Sequence, residues 1–125
     1  MKINTTKPAS SIKVAVAAIG VIAAPLVCAD EALFVQHCGV CHTLNPDDPP
    51  RQGPHLSNII GRKAGAIEGF PYSGGLKSLG FNWDAEHLDQ WIANPQLMAS
   101  DSYMMYRQQD AAIRKKIVQF LATKN

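Results

Sequence analysis

The 125-residue sequence has little charge and no real surplus of one sign. Charged residues make up 18%, and the formal balance is +2. Even that excess is local. Lys2, Lys7 and Lys13 lie before residue 30, where no acid stands, and nine basic and ten acidic residues remain beyond it. Nucleic acid as a partner therefore lacks an electrostatic motive. Long apolar runs are missing too: Val14 to Val27 falls short of the about 20 residues that span a bilayer. Strand alternation, internal repeats and low-complexity tracts are absent, and the length leaves room for one domain. Cysteine is scarce. Cys28, Cys38 and Cys41 are all there is, with no second pair to complete a four-ligand zinc site. A hydrophobic share of 46% beside so little charge excludes a disordered chain.

What is present begins with a leader. Met1 to Lys13 is polar and basic, Val14 to Val27 is apolar, and Val27-Cys28-Ala29 offers small residues at the positions a signal peptidase reads. The pattern predicts a signal peptide over 1–29, cut after Ala29, and a mature domain over 30–125. Cys28 leaves with the leader, and Cys38 and Cys41 remain in an oxidising, periplasmic or otherwise secreted setting. Retention of the leader as a membrane anchor is the alternative.

The mature part has helical ends and an irregular middle. Ala32 to Val35 opens a helix that runs into Cys38. Asp84 caps a second, with Leu88, Trp91 and Ile92 at i, i+3, i+4 and Asn94-Pro95 as its stop. Asp110 caps a last helix whose apolar stripe is Ile113, Ile117, Phe120 and Leu121. Between His42 and Trp83 the chain is broken repeatedly by Gly and Pro, from Asn45-Pro46 to Gly80. So long an irregular stretch is unusual in a compact domain, and three short helices bury little by themselves. Both difficulties vanish if a large, flat, apolar cofactor forms the core.

Cys38-Gly39-Val40-Cys41-His42 supplies that cofactor. Cys-x-x-Cys-His is the haem c attachment pattern. Two thiols on one turn can reach both vinyl groups of a porphyrin, which places His42 beneath the iron. Gly39 is expected to keep this turn slim against the ring. A thioredoxin-like pair would need a βαβ setting, which is missing; a plain disulfide leaves the adjacent His42 unexplained. The sixth iron position decides the function, since a thioether there favours ferrous iron whereas an open site binds small ligands. Met98, Met104 and Met105 are the candidates.

With these residues in order, the chain from about Asp30 onward resembles the class I cytochromes c, mitochondrial and short bacterial. The matching pieces are Cys38 to His42, Gly53-Pro54-His55-Leu56, Gly61-Arg62-Lys63-Ala64-Gly65, Gly69-Phe70-Pro71-Tyr72, Trp83, Asn94-Pro95, Met104 and the C-terminal helix. The resemblance implies an all-α fold of three to four short helices and long loops around one covalent haem c. It implies that Cys38 and Cys41 carry the haem and that His42 and Met104 ligate the iron. The Pro54 carbonyl would fix the His42 tautomer, and Arg62, Tyr72, Trp83 and Ser102 would meet the haem propionates. Phe34 and Phe120 would meet where the end helices cross. The implied function is one-electron transfer between redox protein partners by a monomer that is not an enzyme, touching a membrane only through partner complexes or an uncleaved leader. The alternatives are a haem enzyme or gas or peroxide sensor with a labile sixth ligand, or a membrane-anchored cytochrome subunit.

The chain departs from the family pattern in places. Asp30 stands where a glycine often lets the end helices cross closely. Ser100-Asp101 replaces a Pro-Gly before Met104. Trp91 stands where a tyrosine often touches the axial sulfur, and its indole N–H is expected to reach toward Met104. Leu76 replaces an asparagine, and the ring of lysines is thin. His37, His55 and His87 are expected to be structural.

Overall fold

The computed structural model describes residues 27–49 and 51–125, with positions 2, 11, 15 and 20 besides. The expected leader lies almost wholly outside these residues, and the expected cut after Ala29 falls inside the first helix. No helix among the described residues is long and apolar enough to cross a membrane.

Five helices appear among the described residues: α1 (Val27–His37), α2 (Gly74–Lys77), α3 (Ala85–Ala93), α4 (Pro95–Met98) and α5 (Ala111–Ala122). That is one or two more than the sequence suggested, because α2 and α4 are single turns that periodicity is too short to register. Asp84 caps α3 by accepting the His87 N–H at 2.8 Å, and Asp110 caps α5 by accepting those of Ala112 and Ile113. Asn94 ends α3 as expected, but Pro95 starts a new turn, because proline needs no N–H at the first helical position.

The core lies where α1 and α3 meet α5. Phe34 and Phe120 are both buried, with ring centroids 5.7 Å apart, and Ile117 and Leu121 fill in beside them. Asp30 is accommodated within α1. From α3, Leu88, Trp91 and Ile92 point inward, the i, i+3, i+4 set the sequence predicts.

The irregular middle is tied to this frame by backbone bonds. Gly61 N–H donates to the Trp83 carbonyl at 2.7 Å, Trp83 N–H to Arg62 at 2.8 Å and Ala64 N–H to Phe81 at 3.0 Å. These bonds make an isolated antiparallel bridge at Lys63 and Asn82, the nearest thing to a strand among the described residues. Gly61 and Gly65 flank it at φ +85° and +68°, where a side chain would be strained. Arg62 and Trp83 are thereby brought together, although they stand far apart in the chain.

Candidate functional site

Helices and loops enclose one large cavity of about 830 Å³, within the range of cofactor sites. The residues expected to hold the haem and its iron all line it: Cys38, Cys41, His42, Pro54, Arg62, Tyr72, Trp83, Ser102 and Met104.

One part of the wall grows out of α1. Its hydrogen bonding runs on past His37, with Cys38 N–H on the Phe34 carbonyl at 2.8 Å and His42 N–H on the Cys38 carbonyl at 2.9 Å. Cys38 and Cys41 are free thiols on this turn. Burial, then the neighbouring Cys41, pushes the Cys38 thiol up to about 11. A redox-active pair would need the opposite shift, so this environment disfavours thiol–disulfide exchange.

His42 is held in a single orientation. Its Nδ1 lies 2.7 Å from the Pro54 carbonyl, which accepts the ring N–H and leaves the lone pair on Nε2. Burial lowers the pKa of the imidazole, opposed by the Pro54 bond and reinforced by the Arg62 charge, which favours the neutral ring a metal needs. Gly53 gives the ring its space. A Cβ there would stand 2.5 Å from Nδ1 and 2.7 Å from Nε2. Gly53 itself is fixed by donating its N–H to the Cys41 carbonyl at 2.8 Å.

Met104 comes from the loop between α4 and α5. Its sulfur accepts the Trp91 indole N–H at 3.1 Å, as the sequence suggested. Its N–H donates to Ser102 Oγ at 3.2 Å, and its carbonyl accepts from Gln96 Nε2 at 2.7 Å. Met105 also reaches the cavity edge but is 74% exposed, and Met98 packs into the core away from the cavity.

Arg62, Tyr72, Trp83 and Ser102 contribute polar groups to the lining, beside others such as Lys63, Ser73 and Tyr106. Arg62 donates through Nη2 to the His55 carbonyl at 2.9 Å. No carboxylate pairs with it: among the described residues the Asp84 carboxylate meets His87 and the Asp89 carboxylate pairs with Arg114. Burial lowers its pKa, offset by the nearby Tyr72. Burial likewise raises the Tyr72 phenol, against the Ile67 N–H and the Arg62 charge. A half-buried guanidinium without an acid calls for an anion from elsewhere. Two thiols on one turn, a neutral imidazole, a thioether and this unanswered cation fit haem c.

Other residues were not marked out by the sequence. Gln96 and the ring-bearing role of Gly53 depend on contacts that only the fold creates. His37 Nδ1 is hydrogen-bonded to the Tyr106 hydroxyl at 2.9 Å and the residue lines the cavity. His55 Nδ1 is hydrogen-bonded to the Ser57 hydroxyl at 2.7 Å and His87 stacks on Phe81 at 3.9 Å, and neither lines the cavity. Gly39 differs from expectation. It lies off the cavity, and a Cβ there would meet the Val35 carbonyl oxygen at 2.8 Å, so the helix end rather than the cofactor requires the glycine.

The chain is 35% identical over 99 residues to a protein named cytochrome c2 from Rhodomicrobium vannielii, covering 76% of each. It is 32% identical over 78 residues to cytochrome c of Ginkgo biloba, covering 62% of this chain and 69% of that protein. Among solved structures, cytochrome c2 from Rhodospirillum centenum superposes with a TM-score of 0.69 at 26% identity, over 79% of this chain and 98% of that one. No protein-family model matches the chain.

Proposed function

The chain belongs to the class I cytochrome c family, and on that premise we propose that it is a single-haem electron carrier with His42 and Met104 as its iron ligands. Bound haem c supplies reversible one-electron Fe(III)/Fe(II) chemistry. Cys38 and Cys41 hold it covalently. His42 contributes Nε2, with its tautomer fixed by Pro54. Met104 contributes a thioether, a soft ligand that favours the ferrous state, and Trp91 holds that sulfur by its N–H. Arg62, Tyr72, Trp83 and Ser102 receive the propionates. With His42 and Met104 both committed, no metal position is left for a substrate, and the chain carries electrons without covalent catalysis.

The reading extends to location. Residues 1–29 export the chain and are removed, and residues 30–125 work in a bacterial periplasm among redox protein partners. The apolar run ending in Val27-Cys28-Ala29 supports this. Exported protein should therefore begin at Asp30 on N-terminal sequencing. A haem-bearing product that keeps Val14 to Val27 in the membrane fraction would make the chain an anchored subunit instead.

The observation that carries the electron-carrier reading is the Trp91–Met104 contact on the cavity that His42 also lines. A sulfur so held closes the sixth position. The ferrous protein should bind carbon monoxide slowly and weakly at neutral pH. Fast, tight binding would mean an open site and a sensor or enzyme.

A further inference from the structure

The loop that carries Met104 contains no helix between α4 and α5, and its composition does not stiffen it. Two of its bonds, Met104 N–H to Ser102 and Gln96 to the Met104 carbonyl, join residues close in sequence. They shape the loop locally but do not hold it to the rest of the molecule. Contacts of longer sequence separation do so: the Trp91 N–H meets the Met104 sulfur itself, the Gln108 N–H donates to the Ile92 carbonyl at 2.9 Å and the Gln109 side chain to the Ala93 carbonyl at 3.4 Å, with a further tie on each side of Met104. After it, the Tyr106 hydroxyl meets His37 Nδ1. Before it, both carboxylate oxygens of Asp101 accept the Gly75 N–H, at 2.9 and 3.1 Å.

The approach at Gly75 is tight. A Cβ there would run into the Asp101 carboxylate, 3.1 Å from its Cγ, and would stand 3.2 Å from the Ala99 Cβ. Ala99 is itself buried at the start of the loop. Segment 73–75 is built to receive the loop: Ser73 is buried, lines the cavity and accepts the Leu76 N–H through Oγ. Asp101 is held below the usual carboxylate range, first by the Gly75 N–H, so the contact is charge-assisted at neutral pH.

We propose that Asp101 is a positioning residue for the axial methionine: by clamping the loop to Gly75 it keeps the Met104 sulfur in place over the cofactor. This rests on the assignment of Met104 as ligand. Asp101 thus does through a carboxylate what a rigid turn would do through its backbone, and Ser100-Asp101 is a replacement rather than a loss.

The test is an imidazole titration of the ferric holoprotein. Imidazole binds only when the sulfur is off the iron, so its apparent affinity scales with the open fraction. Loss of one such contact raises that fraction by about three- to tenfold. Asp101→Ala should tighten imidazole binding by this factor. Gly75→Ala, which leaves Asp101 in place but pushes it away, should do the same. Asp101→Asn, which keeps an acceptor oxygen, should fall between the wild type and Asp101→Ala. Denaturant unfolding of each variant separates this effect from general loosening. Wild-type imidazole affinity in both alanine variants, with or without lowered global stability, would overturn the proposal. Met104→Ala is the control for the underlying assignment. If it leaves the far-red sulfur–iron band intact, Met104 is not the ligand and the proposal falls with that reading; if it removes the band, the Asp101 result stands alone.

Discussion

Trp91 shows how much a single donor can do at this site. Its ring is buried and packs edge-on against Trp83 at 5.5 Å, while its N–H reaches the Met104 sulfur. With Met104 as the proposed ligand, a hydrogen bond to its sulfur withdraws electron density and weakens donation to the iron, which favours the ferrous state. Trp91→Phe keeps an aromatic ring and removes the donor, so voltammetry should show a lower midpoint potential. A net hydrogen bond of about 1 kcal/mol corresponds to ~40 mV for one electron. An unchanged or raised potential would mean that the contact does not reach the iron. The residues of this site differ in how legible they are in sequence. Cys38, Cys41 and His42 lie within one run of five residues, and their chemistry is written in their spacing. Among Met98, Met104 and Met105, Met104 stands out in sequence only through the family resemblance, and the Trp91 contact distinguishes it structurally from Met105. Gly53 could not be read in this way, because only the folded loop lays it against the imidazole.

At the scale of elements, caps and stops were legible because they act over three or four residues. Asp84, Asp110 and Asn94-Pro95 all stand where the sequence puts them. The turns α2 and α4 were not, since four residues carry no period. The α3 cap also makes stability depend on pH. The His87 N–H is the first cause that holds the Asp84 carboxylate below its ordinary 3.8. A depressed pKa contributes stability that is fully present above the unfolded value and lost as pH falls through the folded one. Asp84→Asn keeps a capping oxygen and removes the charge. In thermal melts the variant should lie below wild type at neutral pH, and the two should converge as the pH drops below 3.8. A gap that persists in acid would assign the effect to cap geometry rather than charge.

At the scale of the whole molecule, the fold is organised around what the helices leave open. Trp83, Leu88, Trp91, Ile92 and Leu121 belong to the core and also line the cavity, so the cofactor completes the core. That inference was available from sequence alone, because the long Gly- and Pro-broken middle could not otherwise be reconciled with a compact domain. The ties holding that middle were not available. Arg62 to Trp83, Asp101 to Gly75 and Tyr106 to His37 each join segments that no local pattern relates. The central claim is that a protein sulfur closes the sixth iron position and makes the chain an electron carrier. The most direct measurement is the ferric far-red spectrum, in which this family shows a weak sulfur–iron band, recorded for wild type, Met104→Ala and Met105→Ala. The band should be present in wild type, absent in Met104→Ala and retained in Met105→Ala. A wild-type protein without the band, or a Met104→Ala variant that keeps it, would contradict the account.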